Sequence, residues 1–283
     1  MFNYDRVVTD LLVYGETGTG KDVLAKHIHD SSGRRGAFIG INCAAIPEGL
    51  AEGQLFGVVS GAFTGATRTR QGYIEASNGG TLYLDEIDSM PLSLQAKFLR
   101  ILETRGVERL GSTNFVPLDL HVIASTQSSL SGMVEEGKFR RDLLFRLNMI
   151  TIKLPALRSQ RERILPLFEQ FTKDLAAEMN RPVAAVLDNH LTQLLLSHGW
   201  PGNIRELKSA AKRFVLGLPL LGCGLGETHC QQYQSGLKWQ LKVIERRLIQ
   251  DALKRHKQSL DRVVEELDIP KRTLYHRMKE LGI

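Results

Sequence analysis

Along its first half the chain alternates short apolar runs with stretches in which apolar positions recur every three or four residues. LLVY (11–14), FIGINC (38–43), TLYLDE (81–86) and LHVIAS (120–125) are too short for helices and rich in branched side chains, so they predict buried strands. Between them, 21–31, 47–56 and 91–104 have helical spacing, the last opening at Pro91 as a helix start permits. Strand–helix alternation of this kind predicts an α/β fold, a parallel sheet with helices on both faces. From Arg161 to Leu216 the strand pattern stops, and RILPLFEQFTKDLAAEMN and IRELKSAAKRFVLG are helical by pattern. The segment 217–236 has five glycines and little periodicity, which predicts a linker. LKWQLKVIERRLIQDALKRH then predicts a long amphipathic helix, followed by two shorter ones. The expected division is an α/β region over 1–158, a helical region over 159–222, a linker over 223–236 and a terminal helical module over 237–283.

Composition narrows the class. With 283 residues, 42% hydrophobic and 24% charged, the chain has the make-up of a soluble globular protein. It contains no apolar run of membrane-spanning length and no charged-then-apolar N-terminal signal, so no membrane partner is expected. Three cysteines, Cys43, Cys223 and Cys230, fit a reducing cytoplasm rather than a disulfide framework. Cys223, His229 and Cys230 lack the fourth ligand and the short spacing of a zinc site, and read as linker. The net charge of +6 is unevenly placed: from Leu237 onward there are 12 Lys and Arg against 7 Asp and Glu. A basic terminal module points to nucleic acid; a solvated helical face is the other reading that charge alone allows.

LLVYGETGTGKD reads as a strand, a glycine-rich turn and a helix start. Gly15, Gly18 and Gly20 let backbone N–H groups converge on a polyphosphate, Lys21 adds charge, and the helix N-terminus favours the anion. Asp22 stands where the general motif has Ser or Thr to hold magnesium. GGTLYLDEID is an apolar run ending in Asp85 and Glu86: a carboxylate at a strand end can organise Mg2+, and its neighbour can orient an attacking water. Asp88 is expected to be the more exposed member of that cluster. GAFTGA (61–66), by contrast, has no charge, no metal ligand and no nucleophile. Its glycines read as the turns of a mobile loop with Phe63 and Thr64 at the tip.

With GETGTGKD, NCAAIPEGLAEGQLFG, GAFTGA, GGTLYLDEID, FRRDLLFRLN and WPGNIREL in this order, the sequence resembles the central AAA+ ATPase domain of bacterial enhancer-binding proteins, the activators of sigma-54 RNA polymerase. The resemblance implies an ATPase using ATP and Mg2+, with Gly15, Glu16, Thr17, Gly18, Thr19, Gly20, Lys21 and Asp22 around the phosphates. It implies Asp85 as the Mg2+ carboxylate, Glu86 as the catalytic glutamate and Asn42 as its switch partner. Arg140 and Arg146 match the arginines that reach into a neighbouring subunit's site, and Arg205 the lid arginine that senses the γ-phosphate. Phe63 and Thr64 would engage sigma-54 in the polymerase holoenzyme. Gln127, in IASTQSS, replaces the asparagine common in the family's first sensor, and MFNYDRVVTD does not match the segment that helps seat adenine in relatives.

SLDRVVEELDIPKRTLYHRMKELGI reads helix, short turn, helix, with Ser259 as a cap, Val263, Val264, Leu267, Leu274 and Met278 inward, and Pro270 starting the second helix. Lys271, Arg272, Thr273, His276, Arg277 and Lys279 are left toward solvent, where such a helix can lie in a major groove. By resemblance this is the Fis-type helix-turn-helix, and the implied partner is enhancer DNA. The whole-chain match is closest to Hrp-type regulators of type III secretion genes, which implies a homo- or hetero-hexamer with a paralogue. No receiver precedes the first strand, so control by partner proteins, a protein anti-activator among them, is expected in place of phosphorylation. Two other classes are weighed, and neither is supported. Another AAA+ machine would share the ATP site but not GAFTGA or the terminal helices, and a non-hydrolysing DNA-binding repressor would have a broken carboxylate or arginine set.

Overall fold

The structure, a computed structural model, describes residues 9–63, 66–181, 189–218 and 220, and in the C-terminal region 245, 248–250, 252–253, 255–256 and 260–281. Thr64, the predicted linker at 223–236 and most of the predicted long helix that follows lie outside the described residues. The chain divides into two compact units, Met1–Leu220 and Leu221–Ile283.

In the first unit the chain runs β1 (Leu11–Tyr14), α1 (Lys21–Ser31), β2 (Phe38–Asn42), α2 (Glu48–Phe56), α3 (Tyr73–Ala76), β3 (Thr81–Asp85), α4 (Leu92–Thr104), β4 (Gly106–Glu108), β5 (Phe115–Pro117), β6 (His121–Thr126), α5 (Leu130–Glu135), α6 (Arg141–Leu147) and β7 (Thr151–Lys153). Helices α7 (Ile164–Glu178), α8 (Asn189–Ser197) and α9 (Asn203–Val215) complete it. Five strands form a parallel sheet in the order β2-β3-β6-β1-β7, and β4 and β5 make a separate antiparallel pair.

The apolar runs are continuous because both sheet faces are covered. Leu12, Leu84 and Val122 point to one face, where they pack with Ile74 and with Phe98 and Leu102 of α4. Leu11, Val13, Tyr83 and Ile123 point to the other, against Ala25 and Ile28 of α1. Alternation along each strand thus sends neighbours to opposite layers, and neither face can be polar. In the helical region Phe168, Leu175, Leu195, Leu207, Ala211 and the fully enclosed Trp200 are buried. The Trp200 indole N–H donates to the Leu195 carbonyl at 2.9 Å, so its one polar atom is satisfied.

In the second unit the helices Leu260–Leu267 and Lys271–Leu281 meet across a turn in which Asp268 has φ 50°. Val263 and Leu274 are fully buried with Ile249 and Ala252, and Val264, Leu267 and Met278 pack against them, on the side the sequence pattern assigns. Among the described residues no helix is long and apolar enough to cross a membrane.

Under the sheet edge lies a buried polar chain. The His121 Nε2–H donates to the Thr9 carbonyl at 3.1 Å, and His121 Nδ1 and His29 Nδ1 flank the Thr81 hydroxyl at 3.4 and 2.9 Å. Burial, the largest cause in each case, lowers both imidazole pKa values below 6.5, so the folded protein holds both rings neutral. The unfolded chain takes up protons first as pH falls, so the contribution of these rings is present above about pH 6.5 and lost below it. Thermal melts of the wild type should therefore lose midpoint between about pH 6.5 and pH 5, with a shallower slope in His121→Gln. Equal slopes for the two proteins would contradict the assignment.

Candidate functional site

The phosphate loop follows β1 directly. The Gly15 N–H donates to the Thr126 carbonyl of the neighbouring strand at 3.1 Å, which anchors the loop's first residue to the sheet. Gly18 and Gly20 have φ of 78° and 93°, conformations that L side chains rarely adopt. Gly20 precedes α1, and no side chain caps the helix, so its first N–H groups stay available to an anion. Lys21 is buried, and its ammonium donates to the Gly15 and Glu16 carbonyls at 2.9 and 3.3 Å. The buried Lys21 ammonium, the glycine-rich cradle and the uncapped start of α1 together suit a polyphosphate.

The carboxylates stand at the end of β3. Asp85 pairs in register with Asn42 of β2, and its Oδ1 accepts from the hydroxyls of Ser125 and Tyr83, the latter at 3.1 Å. Both hydroxyls hold the same oxygen, which orients Asp85 and leaves its other oxygen for a cation. Burial, with the Asp85 and Asp22 charges adding to it, pushes the Tyr83 phenol far up, so this residue stays a donor. Glu86 lies beyond the strand with φ 54°, a left-handed turn costly for any residue but glycine. Among the described residues no cluster of three or more His, Cys, Asp or Glu could hold a metal by itself. The strand-end carboxylates Asp85 and Glu86 are oxygen donors of the type that Mg2+ takes when it is shared with a phosphate.

Other predicted residues are placed less directly. The Asn42 Oδ1 accepts from the N–H groups of Ala44 and Ala45, so the amide carbonyl caps the turn after β2. Asp88, expected to be the exposed member of its cluster, is half-buried. The single 3-10 turn at 87–89 tucks it in and leaves its Oδ1 shut from solvent without a hydrogen bond. Burial, then the charges of Asp85, Asp88 and Glu86, pushes the Cys43 thiol up to about 12, which makes it unreactive. Arg140 forks onto Asp142 at 3.0 and 2.6 Å, and Arg146 donates to the Leu102 carbonyl at 3.0 Å. Both arginines are thus held at α6, not at this chain's own phosphate loop.

Of the lid residues, the sequence pointed to Arg205 in WPGNIREL but not to the contacts of Trp200 and Asn203. Trp200 and Asn203 both have positive φ, 47° and 50°, and both are fully buried. This strained corner aims α9 at the phosphate loop. The N–H groups of Ile204 and Arg205 donate to the Gly18 carbonyl at 2.9 and 3.3 Å. The Asn203 amide donates to the Thr17 carbonyl at 2.9 Å and accepts from the Leu157 N–H at 2.8 Å. Gln127 accepts from the Thr17 hydroxyl at 2.5 Å, so the residue that replaces the usual asparagine touches the loop from the β6 side. Asn203 lies in WPGNIREL, one of the motifs that carry the family resemblance.

The uncharged loop is anchored at its base. Val58 bridges both Arg70 and Leu110, Gly61 N–H donates to the Ala66 carbonyl at 2.8 Å, and Phe63 is 56% exposed. Gly111 supports it from the β4–β5 hairpin: a Cβ there would lie 2.5 Å from that of Ala62. In the second unit Arg272, Thr273 and His276 are exposed. Lys271 pairs with Asp261 at 2.6 Å, and Arg277, half-buried, pairs with Glu245 and Glu280, each at 3.1 Å. The Lys279 side chain is outside the described residues.

A glycine cradle with a buried lysine, a strand-end carboxylate pair and a helical lid closing on the cradle define a nucleotide-binding module of the AAA+ class. Comparison with known families makes this specific. Residues 3–153 match the sigma-54 interaction domain, 158–218 the AAA+ ATPase lid domain and 240–281 the bacterial regulatory protein Fis family. The chain belongs to the sigma-54-dependent enhancer-binding transcription activators. It is 65% identical to the pathogenicity locus probable regulatory protein HrpR of Pseudomonas syringae pv. syringae, over 97% of this chain and 86% of that protein. It is 62% identical to HrpS of the same organism, over 97% and 90%. Among solved structures, NtrX from Brucella abortus in complex with ADP superposes with a TM-score of 0.74 at 29% identity, over 99% of this chain and 66% of NtrX. NtrX in complex with ATP gives 0.70 at 30%, over 99% of this chain and 65% of NtrX.

Gly18→Ala tests the lid contact. Its Cβ would lie 2.3 Å from the Gly202 carbonyl oxygen, and its φ would be strained. The substitution should push the lid off the loop and weaken nucleotide binding about tenfold or more in a calorimetric titration. Unchanged affinity would show that the lid contact is not part of the site.

Proposed function

We propose that this activator binds ATP with Mg2+ and hydrolyses it in a hexameric ring, of its own copies or mixed with a paralogue, to remodel sigma-54 RNA polymerase at promoters of Hrp and type III secretion genes. The observation that carries this reading is the pairing, at one sheet edge, of the Lys21 cradle with the Asp85–Glu86 turn. NtrX, similar along almost the whole chain, has been solved in complex with ATP, which supports ATP as the ligand.

Lys21 would leave the Gly15 and Glu16 carbonyls for phosphate oxygens, beside the uncapped N–H groups of α1. Asp85, steadied by Ser125 and Tyr83, would hold Mg2+ with Asp22 nearby; when bound, the ion offsets phosphate charge. Glu86 would orient the attacking water from its turn beyond the strand. Arg205 would meet the γ-phosphate, its backbone being already tied to Gly18. Arg140 and Arg146 would act on the next subunit's nucleotide, stabilising charge that a single chain leaves uncompensated. Phe63, with Thr64, would grip sigma-54 in one nucleotide state only, through contacts that differ between states. Asn42, the register partner of Asp85 on β2, would relay that state.

Residues 237–283 would bind enhancer DNA, with Arg272, Thr273 and His276 toward base edges and Lys271, Arg277 and Lys279 toward phosphates. Arg277 would first have to leave Glu245 and Glu280. Control by partner proteins, including an anti-activator, and action in the cytoplasm fit the same reading.

Two variants measured side by side test the coupling. Glu86→Gln should bind ATP as the wild type does and lose turnover by about 100-fold or more. Phe63→Ala should hydrolyse ATP and bind DNA but fail to retain sigma-54 on a native gel with a γ-phosphate mimic. Normal capture by Phe63→Ala, or loss of hydrolysis in parallel with capture, would sink the coupling role. Wild-type turnover in Glu86→Gln would sink the catalytic one.

A further inference from the structure

Glu16 is the wrong charge for its place. It sits inside a loop built to receive a polyanion, where a free carboxylate would repel the ligand. The structure neutralises it. Both oxygens accept from Arg158, at 2.7 and 2.5 Å, and one also accepts from the Asn203 amide at 3.3 Å. These bonds, Arg158 first, hold the carboxyl at about 2, so it stays ionised through the physiological range.

The partners come from the two segments that carry the lid. Arg158 lies in the single-turn helix Leu157–Ser159, between β7 and α7, and Asn203 opens α9. The two are linked by the bond from the Leu157 N–H to the Asn203 amide oxygen. The other end of Glu16 touches the phosphate-binding cation, since its carbonyl accepts from the Lys21 ammonium at 3.3 Å and from the Thr19 hydroxyl at 2.8 Å. Glu16 therefore meets Lys21 through its backbone and the lid through its side chain. When Lys21 turns to a phosphate, the Glu16 carbonyl loses a partner and the loop can shift under the Arg158 fork.

We propose that Glu16 and Arg158 form a latch that holds the lid on the phosphate loop and sets how fast nucleotide leaves. This rests on the reading of the cradle as a nucleotide site. Both are positioning residues: Glu16 acts through Arg158 and Asn203, and neither carries out chemistry on the nucleotide. The pair is about half exposed, with side-chain exposures of 51% for Arg158 and 45% for Glu16. A latch of that exposure can close and reopen, and its strength should depend on salt.

The test is stopped-flow release of a fluorescent N-methylanthraniloyl-ADP from the full chain. It compares the wild type with Glu16→Gln, Arg158→Gln, Arg158→Lys and the Glu16→Gln/Arg158→Gln double variant. Each Gln variant should release ADP about fivefold faster, the size of effect a half-exposed forked pair can hold. The double variant should be no faster than either single one, because the second change removes nothing further. Arg158→Lys, which keeps the charge and loses the fork, should fall between. Raising salt should speed release from the wild type and leave the Gln variants nearly unmoved. Additive single effects, or release unchanged in both singles while their melting temperatures fall, would make the pair a plain structural bridge and overturn the latch. A wild type with no affinity for ADP would overturn the nucleotide site itself, and the latch with it.

Discussion

The contact between the Gly18 carbonyl and the first turn of α9 is the constraint on which the rest of the first unit depends. The phosphate loop must be bare enough to admit a polyanion, yet it must also be covered if its charges are to act outside bulk water. Gly18 meets both demands. It takes a backbone angle that other residues resist, and it leaves no Cβ where the Gly202 carbonyl stands 2.3 Å away. The lid answers with strain of its own, two buried residues at positive φ, and secures them with the Trp200 and Asn203 side-chain bonds. Residues in such conformations persist only where their surroundings fix them.

The sheet sets what faces the cradle. Because β1 lies between β6 and β7 and pairs in register with β6, the Thr126 carbonyl reaches Gly15 while Ser125 reaches across to Asp85. The cation and the carboxylates are therefore fixed to one rigid element, and Gln127 continues the same strand toward Thr17. On this frame the exposed Phe63 loop is tied at Val58 and propped by Gly111.

The pattern of apolar positions predicted four of the five parallel strands to within a residue, because each is buried on both faces and carries a run of branched side chains. Strand β7 was not anticipated. It has only three residues, two of them exposed, and owes its place to pairing with β1. The β4–β5 hairpin was missed for a similar reason: each strand has only three residues, and the Phe115 ring lies over Gly106, a contact that spacing does not reveal. In the site, residues that act through local chain geometry were legible, such as Lys21, Asp85 and the glycines of the loop. Arg158, Asn203, Tyr83 and Ser125 were not, since each gains its role from a partner far along the chain. Asp88 carries the opposite lesson, for its motif position did not foretell a half-buried carboxylate with one oxygen shut from solvent.

We propose that one chain holds an incomplete site: a cradle, a carboxylate that would orient water and a lid, with Arg140 and Arg146, held at α6, acting on a neighbour's nucleotide. Mixing two inactive proteins, one carrying Arg146→Ala and the other Glu86→Gln, measures this directly through ATP hydrolysis. In the mixture some interfaces join an intact Glu86 cradle to an intact Arg146. The account predicts that hydrolysis reappears on mixing, rises with total protein concentration, and peaks near equal proportions of the two chains. A mixture that stays as inactive as its two components, under conditions where the wild type assembles and hydrolyses ATP, would contradict it.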